Sequence, residues 1–150
     1  MISPSPLQRT LMFRAALLFA LGMVTGLWVA VVLTHGQAAG ITLPPVKYER
    51  LALAAHLNAL MGTFWLLGLA STIEHTSFTD AAKARLALLS SIAAYGNWGV
   101  TLLASFLDVR GLDFGGDLRN KLVAGLLQAL VVIPTLLSSG LWAYGLRPRK

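Results

Sequence analysis

The sequence predicts an all-α fold, an integral membrane bundle of four helices, and three observations carry that expectation. Hydrophobic residues make up 56% of the 150 and charged residues only 12%, against roughly 25% charged in an ordinary soluble domain. Mean hydropathy is +0.70. The apolar residues also gather into four separate runs, each near the ~20 residues that a helix needs to cross a bilayer. A single transmembrane domain over 1–150 follows, with spans at about 12–33, 51–73, 84–106 and 122–144.

The first run, Ala15 to Leu33, has nineteen residues without a charge, enough for about 28 Å of helix. Arg9 and Arg14 before it, and Ala38 and Ala39 after it, also fit a secretory signal. The run exceeds the ~7–15-residue core of such a signal, which favours a retained span. Gly36, Gly40, Pro44 and Pro45 then mark the segment from Thr34 to Arg50 as an interfacial loop. The second run covers Leu51 to Ile73. A polar connection, Glu74 to Lys83, follows, with Thr79 and Asp80 as helix-start residues. The third run covers Ala84 to Phe106. The connection Leu107 to Lys121 carries three aspartates and Gly111, Gly115 and Gly116, and the fourth run reaches Tyr144 before Arg147, Arg149 and Lys150.

Charge and composition narrow the function classes. With no cysteine there is no disulfide framework, thiolate zinc site or iron–sulfur cluster, so metal chemistry falls to His, carboxylate or an imported cofactor. The net charge is +6 and the pI about 10.3. The basic residues stand singly at the ends of apolar runs, which points to anionic lipid headgroups and away from nucleic acid. Seven Lys and Arg flank the runs on the side of the termini and five on the other, so both termini are expected to be cytoplasmic. Gly22 and Gly26 form a small-xxx-small pair that suits either packing within the chain or a contact between copies.

Function in such a chain is sought where polar groups stand in hydrocarbon despite the cost. His56 is the one ionisable side chain well inside a run, accompanied by Asn58, Asn97, Thr101 and Gln128; His35 and His75 fall in connections. If the spans are antiparallel neighbours of equal length, Thr101 stands level with His56, and Gln128 lies beside the level position of the fourth span. Asn97 is one turn deeper on the face of Thr101. These groups either hold the bundle together by hydrogen bonds or form a site, and a membrane histidine suits metal binding or proton transfer. Trp28 and Trp142 lie near span ends and fit an interfacial belt, whereas Trp65 and Trp98 lie near mid-span.

Four stretches together carry a family resemblance: Arg50-Leu-Ala-Leu-Ala-Ala-His56-Leu-Asn58, Tyr95-Gly-Asn97-Trp98, Arg110-Gly-Leu-Asp-Phe114-Gly115, and Pro134 within the fourth run. Their order and spacing, over Ala15 to Leu146, resemble the small membrane isomerases typified by styrene oxide isomerase and hydroxylaminobenzene mutase. The resemblance implies a homotrimer in a bacterial inner membrane, with ferric haem b between protomers and His56 as its axial, metal-binding ligand. It also implies a small aromatic substrate rearranged without net redox; Asn97, and after it Asn58 and Thr101, are the residues expected to border that substrate. Styrene oxide isomerase has an asparagine six residues after the ligand histidine and a tyrosine four after the third-helix asparagine. Here those positions are Gly62 and Thr101. Asn58 lies one turn before Gly62 on the same helix face, and the missing phenol favours the mutase-like branch over the epoxide isomerase. The other class considered is a non-catalytic haem-binding or scaffold subunit. A bis-histidine electron carrier is disfavoured by the single intramembrane histidine of each protomer.

Overall fold

The computed structural model describes residues 3–34 and 49–148, and all regular structure in them is helical. Helix α1 runs Pro6–Leu33, α2 Glu49–Thr72 and α3 Asp80–Leu107. The fourth span, Leu118–Gly145, has three stretches: α4 at Leu118–Leu127, a π-helical turn at Gln128–Val132, and α5 at Ile133–Gly145. All four spans are long and apolar enough to cross a membrane. Phe13, Leu27, Met61, Phe64 and Leu136 are exposed around the outside. A surface of that kind requires lipid or another apolar partner, so the chain is an integral membrane protein.

The helices begin and end for local reasons. Thr79 caps α3 by accepting from the Ala82 amide, and Asp117 caps α4 by accepting from the Asn120 amide. Asp108 closes α3 in the left-handed conformation at φ 60°. In the connection that follows, the Asn120 side chain accepts from the Gly111 amide at 2.8 Å and donates to the Asp113 and Gly115 carbonyls at 3.0 and 2.9 Å. Gly111 has a φ of 62° and lies against Val123, so neither its conformation nor its space admits a side chain. The Arg110–Gly115 motif is thus a turn built around one asparagine.

Lipid tails are as apolar as leucine, so these helices associate through close packing. Small residues permit it: Ala15, Ala55, Ala59, Ala70, Ala87 and Ala94 are buried between α1, α2 and α3. One apolar cluster joins Leu11 and Leu18 to Leu66, Leu69 and Leu86, and a second joins Val100 and Ala104 of α3 to Val123 of α4. The fourth span packs mainly on α3. Pro134 has no N–H to give the Leu130 carbonyl, and the helix widens just before it, with the Ile133 amide reaching Gln128. That carbonyl lies against Gly96, where a Cβ would be 2.6 Å from it.

At one end of the bundle, Glu74 accepts from Ser5 Oγ at 2.5 Å and pairs with Lys83 at 2.6 Å, while the Ser77 amide donates to the Gly145 carbonyl at 3.0 Å. The start of α1 and the end of α5 therefore lie on the same side as the α2–α3 connection, as four crossings require. The helices outrun the apolar runs that predicted them, most at α1, which begins six residues before the expected span. Arg14 is accommodated inside it by donating from Nη1 to Ser91 Oγ at 2.9 Å. The interfacial loop expected at 34–50, with His35, falls largely at 35–48, outside the described residues.

Candidate functional site

Beyond its charged first turn, helix α2 carries His56 and Asn58 two residues apart, which puts them on different sides. His56 turns to α1 and Asn58 to α3. Half-buried His56 places Nδ1 2.7 Å from the Gly22 carbonyl. A carbonyl accepts only, so Nδ1 carries a proton and donates, and in the neutral ring Nε2 keeps its lone pair. Nε2 has no hydrogen-bond partner among the described residues, and the ring lies over Gly26. This is the form of imidazole that binds a metal, with its other nitrogen held by an acceptor.

On the opposite side, Asn58 Nδ2 donates to Asn97 Oδ1 at 3.2 Å and to Thr101 Oγ1 at 3.0 Å. Thr101 Oγ1 in turn donates to the Asn97 backbone carbonyl at 2.7 Å. The spacing of 97 and 101, one helical turn, is what brings both groups to one donor. Both N–H groups of Asn58 are engaged. The Asn97 oxygen is therefore turned toward α2, and its own Nδ2 has no partner among the described residues. Thr101 is 8% exposed, whereas Asn97 is half-buried and can reach a bound molecule. Ala94 and Val100 place the trio between the two apolar clusters of α3.

The polar layer expected from depth is thus split. Asn58, Asn97 and Thr101 form one network, and His56 belongs to the α1–α2 contact. Gln128 is exposed and joins neither; it opens the π turn, which shifts the helix phase so that equal depth does not mean the same face. Gly22 and Gly26 serve contacts within the chain: a Cβ on Gly22 would lie 2.8 Å from Ala59 Cβ, and one on Gly26 2.7 Å from His56 Cε1. Gly62 is wedged between Leu18 and Ala94, which gives a packing reason for glycine there.

Sequence reading missed Thr25. Its hydroxyl accepts from Trp98 Nε1 at 3.0 Å while donating to the Leu21 carbonyl at 2.8 Å. Trp28 of the same helix meets Phe106 with ring centroids 5.1 Å apart. Together with Leu102 these residues line an apolar groove of about 210 Å³ between α1 and α3. Trp142 donates to Thr72 Oγ1 at 2.9 Å near the bundle end. Among the described residues no three His, Asp or Glu side chains form a group that could hold a metal ion.

Four apolar spans, with a histidine hydrogen-bonded between α1 and α2 and an amide–hydroxyl network between α2 and α3, define a small helical membrane protein. The styrene oxide isomerase family profile matches residues 7–147. The chain belongs to that family. A curated relative, the hydroxylaminobenzene mutase HabB of Ectopseudomonas oleovorans, is 26% identical over 150 residues, covering 95% of this chain and 83% of the relative. Family and relative alike support a membrane isomerase or mutase in general.

Proposed function

We propose that this chain is a mutase-like isomerase that converts an N-hydroxylated aniline into an aminophenol. The relative named a hydroxylaminobenzene mutase supports that branch, and so does the side-chain chemistry. Thr101 stands where a phenol would be needed, and the Asn58–Asn97–Thr101 network contains amides and a hydroxyl but no acid of moderate pKa. In the proposed reaction the N–O bond breaks, a ring C–O bond forms, the ring carbon loses a proton and nitrogen gains one. Substrate and product are isomers, and no external electron is required.

His56 is the residue that would hold ferric haem b, and the observation that carries this reading is its Nδ1 bond to the Gly22 carbonyl, which leaves Nε2 as an unprotonated donor. Bound there, the haem would supply Lewis-acid polarisation of a substrate oxygen. Asn97 provides the second pull, donating from Nδ2 to the oxygen as its bond to nitrogen weakens. Asn58 and Thr101 keep the Asn97 amide from turning over. The apolar walls around the trio exclude water, which strengthens each hydrogen bond made inside.

His56 and Asn97 lie on different sides of α2 within one protomer. A homotrimer with the haem between protomers, as the family resemblance implies, would bring the His56 face of one copy toward another copy. The small aromatic substrate would enter from the lipid. A bacterial inner membrane with both termini cytoplasmic agrees with the count of basic residues on the two sides. Incubating the haem-loaded protein in detergent with phenylhydroxylamine and, separately, with styrene oxide, without reductant, tests the assignment. Aminophenol supports it, and phenylacetaldehyde alone would assign the chain to the epoxide branch.

A further inference from the structure

We propose that Gly22 and Gly26 form a seat in α1 that orients the His56 ring, so that α1 acts as a positioning element of the cofactor site. The inference rests on His56 being the haem ligand, and it assigns a role to residues outside α2. Gly26 removes the side chain from the place the ring occupies: a Cβ there would lie 2.7 Å from His56 Cε1 and 2.8 Å from Nδ1. One turn earlier, the Gly22 carbonyl is 2.7 Å from Nδ1. Gly22 itself lets the helices approach that closely, since its Cβ would meet Ala59 Cβ at 2.8 Å. The same small-xxx-small spacing therefore closes the helix contact at one position and receives the imidazole at the other.

The consequences are chemical as well as steric. A carbonyl accepting from Nδ1 fixes the tautomer and raises the electron density of the ring, which makes Nε2 a better donor to ferric iron. Gly26→Ala pushes the ring away from that carbonyl and leaves Nδ1–H without a partner in an apolar surrounding. The contacts at position 26 are with the mobile end of a side chain, so the helices need not separate. At position 22 the contact is with a Cβ fixed to its own helix, and Gly22→Ala would instead force α1 and α2 apart.

The test is a haem titration of the full-length wild type and Gly26→Ala in detergent, with the absorption spectrum and ferric/ferrous midpoint potential of each. The expected result is haem affinity lower by about 10- to 100-fold, a shifted Soret maximum and a more positive midpoint, with unchanged helical circular dichroism. Unchanged affinity, spectrum and potential would overturn the seat. Should Gly26→Ala fail to fold, His56→Gly supplied with imidazole or 1-methylimidazole replaces it. Imidazole restoring haem binding about tenfold better supports the seat, since only it can donate to the Gly22 carbonyl, and equal restoration overturns it. Haem uptake by His56→Ala equal to wild type would overturn the ligand assignment and the seat with it, whereas an effect of Gly26→Ala missing beside a haem-free His56→Ala overturns the seat alone.

Discussion

The Asn58 amide donates to Asn97 Oδ1 at 3.2 Å across the α2–α3 contact, and this bond decides which end of the Asn97 amide is left for a ligand. Because Asn58 has only N–H groups to offer at that atom, Asn97 must present its oxygen to it. The Asn97 N–H groups are then left for another acceptor, which in the proposed reaction is the substrate oxygen.

Asn97→Leu keeps the volume and removes that donor. Turnover per haem is expected to fall by about 10²- to 10³-fold, the usual cost of deleting one donor to a developing oxyanion. Steady-state rates on samples matched for haem content check this, and normal turnover would return Asn97 to a packing role.

Asn58 is expected to act through Asn97. A double-mutant cycle of Asn58→Ala and Asn97→Ala should be strongly non-additive in rate, the double variant being close to Asn97→Ala alone. Stability should change little, because hydrogen bonds between membrane helices average only about 0.6 kcal/mol. Additive losses in the cycle would show that Asn58 meets the substrate independently.

Restoring the family asparagine by Gly62→Asn is expected to destabilise the bundle without improving catalysis. Its Cβ would lie 2.9 Å from Leu18 Cδ2 and 3.1 Å from Ala94 Cβ, and overpacking of this kind costs about 1–3 kcal/mol. Thermal unfolding followed by circular dichroism in detergent measures it. An unchanged midpoint would mean that α1 and α3 yield more readily than their contacts indicate.

The four helices were legible in the sequence because they depend on what residues carry, apolar runs and caps such as Thr79, and the one-turn spacing of Asn97 and Thr101 showed that these two share a face; that Asn58 donates to both was not read from it. Helix ends were less so. Charges were read as boundaries, yet Arg14 stays inside α1 by reaching Ser91. Counting residues from the ends gives depth but not direction around the axis, which is why His56 and Gln128 were placed with the trio. His56 follows α1 because its partner is a backbone carbonyl, a group present at every position and so unmarked in sequence. Only the glycines hint at it, by permitting the approach.

The most direct measurement is the absorption spectrum and aminophenol formation of the same purified samples, wild type beside His56→Ala. Wild type is expected to show a Soret band and turnover of phenylhydroxylamine, and His56→Ala neither, while still sedimenting with the membrane fraction. A His56→Ala protein with wild-type haem content and wild-type turnover would contradict this expectation.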